Sequence, residues 1–457
     1  MTAALPVAPA APPEPFGWLL LALPTALLLG FIVLNIQSIA FKTASERSIA
    51  RQTQLAFVAV FAGAVALLGH VVLSGRTAVD LSAWYAPGYG LLAPALEVDL
   101  TRAILLVVFS GIIGLTARFS TTYMHREPGY DRFFLLLWLF TAGVTMVILA
   151  SRIDLFFIGW EFVGLSSALL IGFFRNKGQP VRAGLRAWTT YRGCDVALLL
   201  GFVLLHHAAH SFDWHAVLTA GTRLEPGELR FVGALLIIGA MGKSAQAPLS
   251  GWLPRAMEGP TSSSALFYGG VSVHLGAFLL LAVMPILEAD LGLRVAVGVI
   301  GGVTAILAGL TSRVRPDVKT AIGWSVASQL GVIWVEIALG LETLALVHIA
   351  AHAVYRTSEL LTSPQALHDR FARESGAGGQ LGFRHPIPFS PKGTMASWVH
   401  ARALGAFGME GLVARLFVRP FVALGRVLDR LDRGLSGDTA PEQPSEGSQP
   451  VEHAEVG

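Results

Sequence analysis

The chain has 457 residues, of which 53% are hydrophobic and only 14% charged, and its mean hydropathy is +0.61. Soluble domains carry about 25% charged residues, so the composition excludes a soluble globular protein and makes the lipid bilayer the first partner. The single cysteine, Cys194, excludes a disulfide framework and any Cys-only zinc or iron–sulfur site, and a formal net charge of +3 gives no sign of a nucleic-acid partner.

The first 15 residues, rich in Ala and Pro and without a basic run, read as a disordered lead and not as a cleaved signal. Eleven apolar spans follow, at 17–37, 55–75, 102–121, 133–150, 154–174, 186–206, 230–247, 263–286, 293–312, 318–339 and 341–362. Their lengths suit helices crossing a bilayer core, not the shorter alternating strands of a barrel. The expected class is all-α: a polytopic transmembrane helix bundle over 16–362, with about 11–12 spans, some of them broken.

Positive charge collects in alternate loops. One carries Lys42, Arg47 and Arg51, the next Arg118, Arg126 and Arg132. A third carries Arg175, Lys177, Arg182, Arg186 and Arg192, and a fourth Arg313, Arg315 and Lys319. The loops between hold little beyond Arg76, Arg152, Arg223 and Arg294. This bias puts the N-terminus outside and the C-terminus in the cytoplasm, as expected for a multi-pass protein of a bacterial inner membrane.

The chemistry-bearing residues come in chain order. Glu161 lies inside the fifth span, where a charge costs at least ~2.5–3.5 kcal/mol and calls for a basic partner. Arg192 and Asp195 sit together near the end of the sixth span and are placed to pair. Lys243 closes the apolar run from Phe231 to Met241, after which Pro248 and Pro254 break the helix. An ionisable group beside irregular backbone within a membrane marks an ion or substrate path. Lys243 is the natural counter-charge to Glu161, and such a pair serves either as a proton switch or as a structural link between helices.

Tyr268 and His274 follow Pro260 and are placed to extend a proton wire. The serines after Pro260 lack the His and Asp partners of a nucleophile site. Lys319 opens a span and reads as a positive-inside anchor or a further proton carrier. His348, His352, Arg356 and Glu359 share one helix face. Histidines on such a face suit proton relay, since imidazole titrates near neutral pH, and no third ligand completes a zinc pattern. His206, His207 and His210 fall at a span boundary and read as interfacial.

Beyond the last span, 363–394 reads as a polar cytoplasmic segment. Residues 395–435 read as a basic, membrane-associated amphipathic helix with Arg415, Arg419, Arg426, Arg430 and Arg433, kinked at Pro420. Residues 436–457 read as an acidic disordered tail.

Several of these stretches carry a resemblance. Gly159-Trp-Glu-Phe-Val-Gly-Leu-Ser-Ser, Lys243-Ser-Ala-Gln-Ala-Pro and Trp252-Leu-Pro-Arg-Ala-Met-Glu-Gly-Pro-Thr resemble the antiporter-like subunits of respiratory complex I and of Mrp cation antiporters. Tyr123-Met-His-Arg-Glu-Pro-Gly-Tyr and Asp317-Val-Lys-Thr-Ala-Ile-Gly-Trp-Ser are similar too, so the likeness runs from about Leu92 to about Leu361. It implies proton translocation, with the glutamate–lysine switch at Glu161 and Lys243 and the axial histidines at His348 and His352. The family's histidine after Gly-Pro-Thr is here Tyr268, and its lysine after the second paired histidine is here Arg356. The family's later spans have no counterpart, apart from a terminal likeness at Leu416-Phe-Val-Arg-Pro-Phe, so an antiporter-like fold shortened at its C-terminal end is expected.

A shortened member of this kind is similar to the DabB-type membrane subunits of DAB inorganic-carbon accumulation complexes. That resemblance implies a DabA-like partner, a zinc protein related to carbonic anhydrase, which this chain would energise by cation influx. No cofactor or metal is expected within this chain, and catalysis would belong to the partner. The alternatives are a proton-pumping subunit of a complex I-like NADH:quinone oxidoreductase or hydrogenase, and a Mrp-type Na⁺/H⁺ antiporter subunit.

Overall fold

The computed structural model describes residues 15–40, 45–81, 94–315, 317–376, 393–415, 419–420, 423 and 425–428. The chain divides into Met1–Met409 and Glu410–Gly457. The expected lead before Pro15 and the acidic tail at 436–457 lie outside the described residues.

The first unit is a bundle of helices with one short strand pair. Helix α1 covers Pro15–Asn35 and α2 Glu46–Ser74, the latter capped by Ser45, whose Oγ accepts from the Ser48 amide. Strands β1 (Thr77–Asp80) and β2 (Ala95–Val98) pair antiparallel, with Thr77 opposite Val98. A span-length apolar pattern does not announce this pair, which departs from a purely helical reading. Asp99 then caps α3 (Leu100–Tyr123) by accepting from the Arg102 amide.

Helices α4 (Tyr130–Leu149) and α5 (Ile153–Ile171) form a hairpin closed by a turn of three residues, in keeping with the short gap between the spans expected at 133–150 and 154–174. They touch through glycine. A methyl on Gly143 would lie 2.8 Å from the Gly159 carbonyl oxygen, and a methyl on Gly159 2.8 Å from that of Gly143. Small residues let membrane helices approach to backbone contact, where dispersion replaces the hydrophobic effect as the driving force. The same device joins α13 (Leu291–Arg313) to α14 (Val318–Ala338), where Gly301 faces the backbone of Gly331.

Helix α6 (Gly178–Ala209) precedes the short α7 (Trp214–Gly221), which Asp213 caps. Helix α8 starts on Pro226, which supplies a fixed φ where no amide partner is needed, and ends at Lys243. From there the backbone is irregular. A 3₁₀ turn at Leu249–Gly251, α9 (Trp252–Arg255), a second at Ala256–Glu258 and α10 (Thr261–Ser264) lead into a π-turn, Ala265–Gly270. A 3₁₀ turn, Ser272–His274, then passes into α11 (Leu275–Ala282) and α12 (Met284–Glu288).

Asp290 caps α13 and Asp317 caps α14. Helix α15 runs over Glu342–Gly376. Among the described residues, nine helical segments are long and apolar enough to cross a bilayer. The other two expected spans, 230–247 and 341–362, coincide with α8 and the first part of α15, whose charged and histidine side chains dilute their apolar content.

The differences from expectation are local. The span drawn to 247 stops as a helix at Lys243, because Ala245 takes a left-handed φ of 48° ahead of Pro248. The helix expected to end near 362 continues to Gly376, so the polar segment begins inside it, and 377–392 lie outside the described residues. Helix α16 (Thr394–Leu404) stops at a kink, with left-handed φ at Ala406 and Phe407, before α17 (Met409–Val413). A single continuous basic helix over 395–435 is therefore not formed. Arg430 and Arg433 lie outside the described residues.

Candidate functional site

The buried ionisable residues gather in two places along the broken-helix segment. The first is built by α5, α6 and the end of α8. Lys243 is 1% exposed, and its Nζ donates to the carbonyl oxygen of Trp160, 2.9 Å away. The ammonium also lies 5.0 Å from the ring centroids of Trp160 and Tyr191, a cation–π arrangement that partly replaces lost hydration. Gly164 makes room for it: a methyl there would stand 3.0 Å from Nζ.

The carboxylates of this site are held by arginine, not by lysine. Arg192 Nη2 pairs with Glu161 and also with Asp195, at 2.9 Å in the second case. Asp195 accepts at 2.6 Å from the indole nitrogen of Trp160. A direct Glu161–Lys243 ion pair, the natural partnership on sequence grounds, is therefore not formed among the described residues. A single nitrogen of the guanidinium on α6 reaches both acids at once. The Arg192–Asp195 pairing read from the sequence is formed. Trp160 is the shared element, accepting from Lys243 through its carbonyl and donating to Asp195 through its ring.

The second place is the middle of the bundle. His274, fully buried, lies with Nε2 2.9 Å from His352 Nδ1, and its own Nδ1 is 2.8 Å from the Gly270 carbonyl oxygen at the end of the π-turn. That carbonyl needs a donor on the Nδ1 side, so the π-turn fixes which way the ring faces. The His348 ring stands 6.1 Å from that of His352, at right angles. Arg356 donates to His352 Nε2 at 3.3 Å and to Glu359 and Ser325. The shared face of His348, His352, Arg356 and Glu359 thus exists, and it turns towards His274.

Aromatic rings separate the two places. Tyr191 packs against Trp252 at 4.9 Å, and Trp252 against Tyr268 at 5.6 Å, edge to face. Tyr268 directs its hydroxyl to the Ser167 carbonyl oxygen at 3.3 Å. It belongs to the ring stack, not to the histidine contacts. Lys319 stands apart, donating to Thr261 Oγ1 at 3.2 Å, the oxygen that Tyr123 also reaches. His206 stacks on Phe212 at 3.9 Å at the end of α6, in keeping with an interfacial place.

Sequence reasoning missed Glu336. It lies two residues from the end of α14, with Oε1 2.9 Å from His348 Nδ1. The signal was available, since it is an acid inside an apolar span, but its closeness to the span boundary hid it. Among the described residues no group of three or more His, Cys, Asp or Glu side chains is arranged to hold a metal ion.

Residues 150–387, over half the chain, match the family described as NADH:quinone oxidoreductase/Mrp antiporter, TM. The chain belongs to this family. Residues 84–134 also match the NADH-Ubiquinone oxidoreductase (complex I), chain 5 N-terminus. The family member is 32% identical over 329 residues to NADH-quinone oxidoreductase subunit L of Rhodobacter capsulatus, covering 68% of this chain and 46% of that one. It is 31% identical over 366 residues to NAD(P)H-quinone oxidoreductase chain 5 of Synechocystis sp., covering 77% and 53%. The chain spans about half the length of the curated relatives it matches. The fold is similar to a chain of the Mrp complex from Dietzia sp., with a TM-score of 0.64 at 23% identity over 74% of this chain and 37% of that one. It is similar also to a chain of the membrane-bound sulfane sulfur reductase, an archaeal respiratory membrane complex, at 0.63 and 18%, over 75% of this chain and 55% of that one. This chain is thus a multi-pass, antiporter-like membrane subunit with an all-α bundle.

Proposed function

We propose that this family member carries protons through the membrane as one subunit of a larger complex of the NADH:quinone oxidoreductase type. The observation that carries the reading is the buried lysine at the unwound end of α8, set beside Asp195, Arg192 and Glu161 and followed by the buried His274–His352 pair. Lys243 and Glu161 act as the switch, with Arg192 as the arm that releases or holds the acids. His274, His352 and His348 carry protons along the axis. Tyr268, Glu359 and Lys319 take supporting parts in that reading.

Buried polar atoms without a protein partner support it: Gln246 Oε1 and the hydroxyls of Ser250, Ser262, Ser264 and Ser272, spread over the irregular segment between the two places. Such groups are stable in a membrane interior when water reaches them, and water chains conduct protons. The N-terminus is outside and the C-terminus cytoplasmic in this reading, from the loop charges.

The relatives favour this assignment over energised inorganic-carbon uptake with a DabA-like zinc partner. Purification of the native complex tests the partner: iron–sulfur and quinone-site subunits are expected. A zinc protein related to carbonic anhydrase in their place overturns the assignment in favour of the inorganic-carbon role. Dye-quench measurements in inverted vesicles test the transport. Lys243→Ala is expected to abolish proton movement at normal assembly, and retention of wild-type movement in Glu161→Gln/Lys243→Ala would leave only a scaffold. A dependence on sodium would identify Na⁺/H⁺ exchange instead.

A further inference from the structure

The histidine line has two ends, and they differ in chemistry. At one end stands Arg356, which approaches His352 Nε2 to 3.3 Å and is itself held by Glu359 and Ser325. A guanidinium keeps its protons at any physiological pH, so this end cannot pass a proton on. At the other end stands Glu336, whose Oε1 is 2.9 Å from His348 Nδ1.

The Glu336 carboxyl is unusual in its surroundings. Its side chain is 13% exposed, His348 is its one ion-pair partner among the described residues, and its second oxygen, Oε2, is buried without any hydrogen-bond partner. A buried carboxyl oxygen left unpaired costs about 1–3 kcal/mol or more, a cost a structural ion pair would normally be arranged to avoid. Nearby Arg294, on α13, spends its Nε on the Ala338 carbonyl oxygen at 3.0 Å. An acid with one oxygen on an imidazole and the other buried without a protein partner is suited to accept a proton on one side and pass it to a water on the other.

Its position suits the same task. Glu336 ends α14 and His348 belongs to the second turn of α15, so both lie at the end of the bundle where those helices meet. The same end of α15, through Glu342, Thr343 and Leu346, lines a cavity of about 430 Å³ together with Glu97 and Asp99 beside β2. Glu336 does not itself line that cavity, but it lies at the same end of the bundle, one short turn from Glu342.

We infer that Glu336 is the terminal proton-transfer group of the histidine line, exchanging protons between His348 and the face of the membrane at the α14–α15 turn. In the step, imidazolium Nδ1–H of His348 breaks, a bond from the proton to Glu336 Oε1 forms, and a neutral imidazole and a neutral carboxylic acid result. The acid then gives the proton to a water that reaches the carboxyl at the α14–α15 turn and returns to a carboxylate. No electrons are transferred. The inference rests on the proposed proton-carrying function.

The test uses the native complex in sealed vesicles, reading proton flux by dye quench and assembly by recovery of the partner subunits. Glu336→Gln is nearly isosteric and keeps a hydrogen bond to His348, so it isolates proton transfer from packing. Its flux is expected to fall about a hundredfold, the scale of losing one positioned acid–base group, with assembly unchanged. Glu336→Asp should recover part of the flux, and formate added to Glu336→Ala should restore it in proportion to the formic acid present. Those restorations report proton delivery, which a merely structural glutamate would not need. Wild-type flux in Glu336→Gln, or no response of Glu336→Ala to formate, overturns the inference while the proton-carrying reading stands. Absence of flux in the wild-type complex overturns that reading itself.

Discussion

Lys243 donates to the carbonyl oxygen of Trp160 at 2.9 Å, and among the described residues no carboxylate completes an ion pair with it. The same tryptophan holds Asp195 through its ring nitrogen at 2.6 Å. One residue of α5 therefore holds the ammonium through its backbone and an acid through its ring. A lysine so placed can gain or lose a proton without first breaking a salt bridge.

Replacing Lys243 separates charge from volume. Lys243→Met fills similar space and removes the ammonium, while leaving the Trp160 carbonyl without its donor, at about 1–3 kcal/mol. Relief of the buried charge offsets part of that. The expected outcome is a protein melting within a few degrees of the wild type and a proton flux lower by about a hundredfold. Lys243→Arg keeps a charge that cannot be released and should lose flux equally. Melting in detergent and dye quench in vesicles measure the two quantities. Full flux in either variant would remove Lys243 from the path.

The glycine contacts can be tested without reference to transport. At Gly143 and Gly159 the two backbones meet so closely that each prospective methyl lies 2.8 Å from the other glycine's oxygen. Gly143→Ala should force α4 and α5 apart, at a cost of about 1–3 kcal/mol, as overpacking commonly does. Gly331→Ala should do the same to α13 and α14, since its methyl would lie 2.5 Å from the Gly301 oxygen. Gly69→Ala is the control, because nothing lies within 4 Å of that position. Lowered melting in the first two and not in the third is the expected pattern, and equal melting in all three would contradict the close approach.

The sequence made the spans legible because apolar length is a local property, and each of the eleven expected spans falls on helix. It made Lys243 legible through the prolines that follow it, and His348 and His352 through their spacing on one face. Partnership was another matter. Glu161 and Lys243 looked like natural counter-charges because both were expensive in a membrane. Choosing between Lys243 and Arg192 as the partner of Glu161 depends on how α6 and α8 cross α5, which no local pattern encodes. The π-turn before His274 and the glycine contacts were hidden for the same reason: each is set by a neighbour distant in the chain.

Glu97 gives a pH dependence outside the spans. It is 2% exposed on β2 and paired with Arg102 at 2.7 Å, with His215 at 3.0 Å and with Arg76. Burial pushes its carboxyl up, but Arg102, His215 and Arg76 together outweigh it and hold the group below the ordinary glutamate range. A depressed native value means the unfolded chain binds the proton more readily. The contribution to stability is therefore present above the unfolded value of about 4.3 and is lost as pH falls through the lower native one. Glu97→Gln should lower the melting temperature at pH 7, where it removes the carboxylate 2.7 Å from the buried Arg102 and leaves that guanidinium Asp99, at 3.6 Å, and the Ala150 carbonyl oxygen. The gap to wild type should narrow as the pH is taken below about 4. A gap independent of pH would show that the charge of Glu97 is not what stabilises the strand–helix junction.

His352 is the junction of the histidine line, touching His274 at 2.9 Å on one ring nitrogen and Arg356 at 3.3 Å on the other. It is buried, 6% exposed. His352→Gln retains a side chain able to hydrogen-bond His274, but an amide cannot bind and release a proton near neutral pH. Flux should fall by about a hundredfold, while melting changes by no more than a buried hydrogen bond is worth, about 0.5–1.5 kcal/mol. His206→Gln, at the stacked end of α6, should leave flux at the wild-type value. The comparison distinguishes a relay from a general sensitivity to histidine replacement, because only a histidine on the line can interrupt it. Equal flux in both variants would mean that protons bypass the His274–His352 contact.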